Sequence, residues 1–481
     1  MSYRSIIKII ASIGITISII FLSEIFVGFI YNENYQILLE YNIFFILLNS
    51  IIWFSLKKYK LNLKIRDSIL VVNILWILLG VIGAIPFLLY SNISFGSALF
   101  ESISGFTTTG ATIYQDIESL PKMILFHRSL IHWLGGLGVI VLSIGLLSMI
   151  NPTGSLSLFK AESTGIQIEK LTPKIKDTAI RLWLIYLILT ILDMLLLKLF
   201  GMNWFDSINH AFSTISTGGF STKNSSIGYF NSDSIIWTTT IFMFLAGINF
   251  LAHLKLLYNR DFLGYKNEEM KWYIVMFIIL STLLTIIHIG IGGDTIYDAL
   301  KHSTFTIASV MTTTGFVTID YSTWSHLAIA VIFVAILMGG NTGSTAGGIK
   351  IIRHVIIFKT LVSELKRILH PNTLISIFID NIKQKDRVIA STFGFITLFM
   401  MSVILLTIYI FASGYDIMTA ISASFALVGN VGPGFGLVGP ANNFSFFDDI
   451  DKLIFSFAMI IGRLECYTVF ILFTHIFWRK F

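Results

Sequence analysis

Four short segments rich in Thr, Ser and Gly interrupt an otherwise apolar chain, and their residue types are the ones best suited to chemistry. They read Thr107-Thr108-Thr109-Gly110-Ala111-Thr112, Ser216-Thr217-Gly218-Gly219-Phe220, Thr312-Thr313-Thr314-Gly315-Phe316 and Asn430-Val431-Gly432-Pro433-Gly434. Counted between Gly110, Gly218, Gly315 and Gly432, the spacings are 108, 97 and 117 residues. A period of about 100 residues indicates an internally repeated architecture.

These segments offer oxygen ligands to a cation. Thr and Ser carry hydroxyl oxygens, and Gly adopts the backbone angles that turn several carbonyl groups toward one axis. Rings of carbonyl oxygens from four loops replace the hydration shell of K⁺, whereas an anion site would need amide or Arg donors. One Thr/Gly cluster alone is more often a turn or a helix-packing site, so the prediction depends on the fourfold repetition. The predicted filter comprises Thr108, Thr109, Gly110, Ser216, Thr217, Gly218, Thr313, Thr314, Gly315, Asn430, Val431 and Gly432.

The composition indicates a membrane protein. Of the 481 residues, 55% are hydrophobic and 12% are charged, whereas an ordinary soluble domain has about 25% charged residues. The mean hydropathy is +0.81. A soluble fold cannot bury this much apolar surface, which argues against a soluble enzyme or a nucleic-acid-binding protein despite the net charge of +6. The single cysteine, Cys466, excludes a disulfide within the chain and Cys-based zinc or iron–sulfur sites.

Stretches of about 20 apolar residues predict ten membrane-spanning helices. They cover 5–31, 36–56, 67–91, 123–150, 177–200, 233–259, 272–292, 323–349, 387–413 and 452–478. With ten spans, 26 of the 33 Lys and Arg residues fall on one side, at the termini and in alternate connectors. Because basic residues concentrate on the cytoplasmic side, we expect both termini to be cytoplasmic.

The opposite side carries four long connectors, 92–122, 201–232, 293–322 and 414–451. Each opens with an amphipathic stretch too short to cross a bilayer and then reaches one of the polar segments. Irregular backbone at membrane depth survives only when protein or a water-filled cavity surrounds it. Three connectors open with an aromatic-Asp pair, in which Asp206, Asp298 and Asp416 are expected to cap a short helix. The predicted fold class is an all-α polytopic membrane protein with four re-entrant repeats.

Together with three further motifs, the polar segments resemble a known family. These motifs are His132-Trp133-Leu134-Gly135-Gly136, Gly339-Gly340-Asn341-Thr342-Gly343-Ser344-Thr345-Ala346-Gly347-Gly348-Ile349-Lys350 and Gly462-Arg463-Leu464-Glu465. On these residues the chain resembles the TrkH type of the Trk/Ktr/HKT superfamily of potassium transporters. The resemblance implies four pseudo-symmetric M1–P-loop–M2 repeats around one central pore, after two N-terminal transmembrane helices. The expected units are 1–66, 67–150, 177–260, 270–368 and 386–481.

The resemblance also implies the ion, the location and the partners. It implies K⁺ as the bound substrate ion, no cofactor in this chain, a bacterial cytoplasmic (inner) membrane, a homodimer and no nucleic acid. It further implies an RCK-type cytosolic nucleotide-binding subunit, similar to TrkA. A docking surface of the right sign for an acidic partner is offered by Lys350, Arg353, Lys366, Arg367, Lys383 and Lys385. The fourth polar segment departs from the Thr-x-Gly pattern with Asn430 and Val431.

A glycine-rich segment interrupts the predicted span 323–349. Its residues are Gly339, Gly340, Asn341, Thr342, Gly343, Ser344, Thr345, Ala346, Gly347 and Gly348. A nucleotide-binding motif is discarded, because Ile349 stands where that motif needs Lys. The remaining interpretations are close helix packing and, from the resemblance, an intramembrane loop that obstructs the pore below the filter and acts as its gate.

Arg463 lies within a predicted span, where a charge is expensive and usually functional. Pairing with Glu465 is disfavoured, because residues two apart on a helix do not face each other. The resemblance places Arg463 beside the gate segment. For Asp193 and Glu24, helix–helix hydrogen bonding and a functional role both remain open. Lys301 is expected to form a local ion pair. The outer acids Asp116, Glu118, Asp294, Asp320, Asp448, Asp449 and Asp451 are either simply solvated or raise the local cation concentration.

Two other functions were weighed against K⁺ uptake. A Na⁺-coupled or Na⁺-permeable transporter of the Ktr/HKT branch is disfavoured within the resemblance, since all four anchoring positions are Gly. A membrane-embedded enzyme would need paired carboxylates, a Ser/His pair or a metal cluster within the spans, and the sequence has none of these patterns. The sequence patterns are compatible with channel-like flux and with flux coupled to H⁺ or Na⁺.

Overall fold

The computed structural model describes residues 3–59, 64–150, 175–293, 295–371 and 376–479. The connector 151–174 and Asp294 lie outside these residues. In chain order the α-helices are α1 (Tyr3–Ile30), α2 (Gln36–Ser55), α3 (Ile65–Ser91), α4 (Phe95–Phe106), α5 (Lys122–Ile150), α6 (Ile175–Leu199), α7 (Trp204–Ile215), α8 (Asp233–Ala246), α9 (Phe250–Asn259), α10 (Glu268–Ile287), α11 (Ile296–Met311), α12 (His326–Ile336), α13 (Ile351–Leu369), α14 (Asp386–Ala412), α15 (Ile417–Val428), α16 (Asp449–Arg463), α17 (Cys466–Phe470) and α18 (His475–Trp478).

Long apolar helices dominate the described part of the chain, which confirms the all-α membrane class. Six of the described helices are long and apolar enough to cross a membrane, with mean hydropathies of 1.8 to 2.6. They are α1, α2, α3, α6, α10 and α14. For description we group the helices after α2 into four consecutive units: unit 1 contains α3–α5, unit 2 α6–α9, unit 3 α10–α13 and unit 4 α14–α18.

The second helix of three units is broken. The predictions of single helices over 233–259 and 452–478 are therefore wrong, whereas the predicted interruption of the span 323–349 is confirmed. In unit 2, α8 and α9 meet at 95° around Gly247. In unit 4, α16 and α17 meet at 117°, where Glu465 has a φ of +57°. In unit 3, α12 ends at Ile336 and α13 begins at Ile351. The mean hydropathy stays that of a membrane span across the breaks in units 2 and 4, which is why the sequence does not reveal those two.

Each unit holds a short half-helix with a polar N-cap: α4, α7, α11 and α15. The caps are Ser94, Asn203, Thr295 and Asp416, and each side chain accepts a hydrogen bond from the amide three residues later. The cap prediction is confirmed for Asp416. It is wrong for Asp206 and Asp298, which are the third helical residues and interact with the true caps Asn203 and Thr295.

The four units pack in a cyclic order, because the second helix of each unit contacts the half-helix of the next. In three of the junctions aromatic rings meet. Phe126 of unit 1 lies 6.0 Å from Phe212, Phe333 of unit 3 lies 5.2 Å from Phe425, and Phe455 of unit 4 lies 6.4 Å from Phe100 of unit 1. The remaining junction joins units 2 and 3 through an ion pair between Asp233 and Lys301. The half-helices therefore converge on one axis.

One β-hairpin, which the sequence analysis did not predict, follows α13. It pairs Phe378–Ile379 with Ile382–Lys383, and its turn residues Asp380 and Asn381 both have positive φ, as a type I′ turn requires. The Asp380 carboxylate accepts a 2.6 Å hydrogen bond from the amide of Glu268 at the start of α10.

Candidate functional site

The four polar segments follow the C-terminal ends of the half-helices and share one backbone conformation. We name them L1 (107–112), L2 (216–221), L3 (312–317) and L4 (429–434). Each contains a non-glycine residue in the left-handed region, with φ between +51° and +58°, at Thr108, Thr217, Thr313 and Asn430. Two residues later each has a glycine with φ between +81° and +94°, at Gly110, Gly219, Gly315 and Gly432.

This conformation fixes the register of L2. The equivalent of Thr108–Gly110 is Thr217–Gly219, so the alignment of Ser216–Gly218 with the other loops is wrong by one residue. From the sequence alone, either glycine of the tandem Gly218-Gly219 could be the equivalent of Gly110, Gly315 and Gly432. Gly218 takes the middle position, equivalent to Thr109, Thr314 and Val431. A side chain at Gly218 would overlap the ring of His132, which belongs to the His-Trp motif of α5.

The four loops close into a ring of glycines and carbonyl oxygens. A Cβ atom at Gly110 would overlap the carbonyl oxygen of Gly218. The same overlap pairs Gly219 with Thr314, Gly315 with Val431, and Gly432 with Thr109. Each glycine therefore abuts the middle carbonyl of the next loop, in the order L1, L2, L3, L4 and back to L1. Because these positions also need positive φ, any other residue would meet both backbone strain and a steric clash.

Side chains around the ring follow a twofold pattern. In L1 the hydroxyl groups of Thr107 and Thr109 are 2.7 Å apart, and in L3 those of Thr312 and Thr314 are also 2.7 Å apart. L2 and L4 have Gly218 and Val431 in place of the second Thr. In L4 the Asn430 amide compensates, donating 3.0 Å hydrogen bonds to the Thr109 hydroxyl and to a carbonyl of α16.

A cavity of about 130 Å³ opens from the ring toward the outer connectors. All four glycines of the ring line it, which agrees with a shared axis. Its other lining residues include Gln115, Asn224 and Asn443, together with Arg128 and Lys223.

The predicted outer acids that the structure describes do not line this cavity. Those that the structure describes form local hydrogen bonds: Asp116 with Asn224, Glu118 with Lys223, Asp320 with Ser322, Asp449 with Ser94, and Asp448 and Asp451 at the start of α16. The 2.9 Å hydrogen bond from the Asn224 side chain lowers the pKa of Asp116 below its usual value. Their effect on the local cation concentration stays a prediction.

The predicted gate segment lies against the inner end of the ring. The amide of Gly347 donates a 2.6 Å hydrogen bond to the Thr313 hydroxyl of L3. The Thr345 hydroxyl lies 3.1 Å from the last carbonyl of α7 and 3.2 Å from that of α8. The Gly343 carbonyl accepts from the amide of Phe250, just after the break between α8 and α9. The segment therefore contacts unit 2 as well as L3 of its own unit.

Two cationic side chains bind consecutive carbonyl oxygens of this segment. Arg463, which is buried at the end of α16, donates a 2.8 Å hydrogen bond from Nη1 to the Thr345 carbonyl. Lys350 donates from Nζ to the Ala346 carbonyl. The Nε and Nη2 atoms of Arg463 have no hydrogen-bond partner among the described residues. Across the segment, the buried Glu269 carboxylate accepts from both the amide and the hydroxyl of Thr342; the sequence analysis missed this residue.

Two residues of the predicted docking surface are engaged inside the protein. Lys350 binds the gate segment, and Arg353 forms a 2.8 Å ion pair with Glu465 and stacks 3.7 Å from the Phe395 ring. Their assignment to an exposed surface is wrong. The prediction that Arg463 does not pair with Glu465 is confirmed. The reason differs from the predicted one, because the helix is broken between the two residues. The other members, Lys366, Arg367, Lys383 and Lys385, are exposed.

The other buried ionisable groups have local partners with one exception. Lys301 forms 2.8 Å ion pairs with Asp233 and Asp298, which confirms its predicted role. Glu24 lies 2.7 Å from His127. The carboxylate of Asp193 has no hydrogen-bond partner by distance and angle among the described residues.

A further ion pair, between Glu101 and Arg128, lies directly behind L1, and the sequence analysis did not predict it. Two features of the sequence could have indicated this pair: Glu101 is a charge in a half-helix, and Arg128 is a charge in an apolar span. No group of three or more His, Cys, Asp or Glu residues that would hold a metal ion occurs within the part of the chain that the structure describes.

Comparisons with known proteins are consistent over the whole chain. The family model TrkH, described as a cation transport protein, matches residues 34–480. The Trk system potassium uptake protein TrkH of Salmonella typhimurium is 36% identical over 489 residues, covering 100% of both chains. TrkG of Escherichia coli K12, also named a Trk system potassium uptake protein, is 36% identical over 434 residues, covering 89% of this chain and 88% of that one. The crystal structure of the potassium transporter TrkH from Vibrio parahaemolyticus superposes with a TM-score of 0.90 at 33% identity, covering 100% of both chains.

Proposed function

Since this chain belongs to the TrkH family of cation transport proteins, we propose that it is a K⁺-selective uptake protein whose ions pass through the ring of L1–L4. It is a multi-pass membrane protein and its relatives are transport proteins, not enzymes. The proposal extends to K⁺ because relatives that cover the full chain are named potassium uptake proteins.

One observation carries the proposal: the closed ring in which four glycines alternate with four carbonyl oxygens. The oxygens belong to Thr109, Gly218, Thr314 and Val431. Four carbonyl dipoles at one level can replace the water that a K⁺ ion loses. The half-helices end at the ring, so the negative ends of their dipoles favour a cation there. The proposed filter is Thr108–Gly110, Thr217–Gly219, Thr313–Gly315 and Asn430–Gly432.

The gate in this proposal is the segment 339–348 together with Arg463. Several hydrogen bonds hold the segment under the ring. In this proposal they break and re-form during gating, while the hydrogen bonds within the long helices stay intact. The buried guanidinium adds a positive charge beside the pathway, which raises the barrier for a cation in the closed state. Opening then requires the segment to leave the carbonyls of α7 and α8 and the hydroxyl of Thr313.

The proposed membrane, orientation, oligomeric state and regulatory partner are inferred from the family. We place the protein in the bacterial inner membrane with both termini in the cytoplasm, as a homodimer regulated by an RCK-type nucleotide-binding subunit. The exposed Lys366, Arg367, Lys383 and Lys385 support a cytoplasmic docking surface for an acidic partner. Co-purification of such a subunit from the native organism, and a nucleotide effect on flux only in its presence, test this part.

The function itself is tested by flux into proteoliposomes that contain the purified chain. Gradients of K⁺, Rb⁺ and Na⁺ are compared, each with and without an imposed membrane potential. The proposal predicts uptake of K⁺ and Rb⁺ well above that of Na⁺, and the response to potential separates channel-like from coupled flux. Equal uptake of Na⁺ would contradict it, and so would no flux in vesicles with correctly inserted protein.

A further inference from the structure

Behind L1, a buried carboxylate accepts hydrogen bonds from three residues of unit 1. Glu101 lies on α4 and is fully buried. Its Oε1 accepts from Nε of Arg128 at 2.8 Å, and its Oε2 accepts from the amide of Ile113 at 2.9 Å. The Thr112 hydroxyl lies 3.0 Å from one carboxylate oxygen and 3.1 Å from the other. The carboxylate thus holds the two residues that follow Gly110 and Ala111 in the chain.

The partner of this carboxylate reaches across to L2. Arg128, on α5, is 1% exposed. Its Nη1 donates to the Ser221 carbonyl at 3.1 Å, and its Nη2 donates to the Thr112 hydroxyl at 3.1 Å. Its guanidinium carbon lies 4.0 Å above the ring of Phe220. Ser221 and Phe220 are the residues immediately after Gly219, so one guanidinium spans L1 and L2 at equivalent points.

Among the described residues, L3 and L4 have only neutral hydrogen bonds at this level, whereas L2 also has a 2.6 Å hydrogen bond from the Thr222 hydroxyl to the Asp206 carboxylate. In L2 the His210 ring bonds the Ser221 hydroxyl at 2.9 Å, and beside L3 the His302 ring bonds Thr318 at 2.9 Å. Beside L4 the Ser422 hydroxyl exchanges hydrogen bonds with the backbone of Phe435. Among the described residues, a buried ion pair therefore connects two loops behind the ring only at the junction of L1 and L2.

In the size-based account of K⁺ selectivity, the filter oxygens must resist moving inward to meet the smaller Na⁺ ion. The bonds of Glu101 and Arg128 restrain both loops within three residues of Gly110 and Gly219. Charge-assisted hydrogen bonds are about twice as strong as neutral ones. Because both charges are buried, solvent does not offer these groups a competing partner.

We infer that Glu101 and Arg128 are positioning residues for selectivity. Their hydrogen bonds keep L1 and L2 at the spacing that K⁺ requires. This inference rests on the proposed function, since it assumes that the ring selects K⁺. Neither side chain is proposed to touch the ion.

The test is Glu101→Gln, which keeps the shape and removes the charge. The matched control is Glu24→Gln, because Glu24 is also fully buried and forms a 2.7 Å pair with His127, but bonds neither L1 nor L2. Flux of K⁺ and Na⁺ is measured in proteoliposomes, normalised to folded protein from size-exclusion chromatography. We expect the K⁺-to-Na⁺ flux ratio to fall about tenfold in Glu101→Gln, which corresponds to about 1.4 kcal/mol, and to stay unchanged in the control.

A second variant guards against misfolding. Removing one partner of a buried pair leaves an uncompensated charge, whereas replacing both is better tolerated. Glu101→Gln combined with Arg128→Gln should therefore fold and still show the lowered ratio. A wild-type ratio in either variant, or loss of folded protein in both, would overturn the inference. A wild-type protein without K⁺ selectivity would instead refute the proposed function, so the two failures are distinguishable.

Discussion

The amide of Gly347 lies 2.6 Å from the hydroxyl oxygen of Thr313, so the intramembrane segment is hydrogen-bonded directly to the ring that it is proposed to close. Thr313 is one of the four residues in the left-handed conformation below the ring carbonyls. The contact joins the backbone of the segment directly to a side chain of L3. If the segment is the gate and L3 is part of the filter, we expect a change in one to affect the other.

Thr313→Val tests this link. Valine keeps the shape of Thr but cannot accept the Gly347 hydrogen bond, so we expect the closed segment to be less stable by about 1 kcal/mol. Flux of K⁺ should rise several-fold in proteoliposomes. The matched control is Thr108→Val, because the Thr108 hydroxyl has no hydrogen-bond partner among the described residues. An equal rise in both variants, or none in Thr313→Val, would refute the link.

Arg463→Ala tests the gate. The change removes a buried positive charge and the hydrogen bond to the Thr345 carbonyl, so K⁺ flux should increase in protein that remains folded. Arg463→Lys keeps the charge but loses the planar group of donors, and its flux should lie between those of the wild type and Arg463→Ala. Deleting part of 341–347 should raise flux as well. Unchanged or lower flux in inserted protein would count against the gating role.

Gly219→Ser tests the corrected register of L2. At Gly219 a side chain meets the Thr314 carbonyl and the backbone has a φ of +83°, so we expect the K⁺-to-Na⁺ flux ratio to fall, as in Gly110→Ser and Gly315→Ser. Gly201→Ser is the control, because Gly201 also has positive φ but faces open space. It should cost about 1 kcal/mol of stability and leave the ratio unchanged. Wild-type selectivity in Gly219→Ser would contradict the corrected register and favour Gly218 as the glycine of L2 that belongs to the ring.

The outer surface gives a prediction on pH. The hydrogen bond from Asn224 lowers the pKa of Asp116. A carboxyl whose folded pKa is depressed contributes stability that is present above its unfolded pKa, about 3.9, and lost as pH falls through the folded pKa. We therefore expect Asn224→Ala to reduce the change in melting temperature between pH 5 and pH 3. If the variant and the wild type lose the same number of degrees, Asn224 does not set the titration of Asp116.

The sequence predicted the parts of this molecule that depend on composition and spacing. The long spans, the four re-entrant segments and their polar breaks follow from hydropathy and from Thr, Ser and Gly clusters. Lys301 was assigned correctly because oppositely charged residues at a membrane surface pair locally.

Features that depend on a single residue of register or on distant contacts were not predictable. The tandem Gly218-Gly219 allows two alignments, and only the positive φ of Gly219 chooses between them. The mean hydropathy over a span length stays high across Gly247 and Glu465, so the broken helices were not evident from the sequence. Glu101 and Arg128 are 27 residues apart, and no local pattern shows that they meet.

The central claim is that the ring of L1–L4 selects K⁺, and the reversal potential of the purified chain in a planar bilayer tests it most directly. K⁺ bathes one side and Na⁺ the other, and the wild type is compared with Gly315→Ser, which would force a side chain onto the Val431 carbonyl. We predict a reversal potential close to the K⁺ equilibrium value for the wild type and a shift toward zero for Gly315→Ser. A reversal potential near zero for the wild type, or identical values for the two proteins, would contradict the claim.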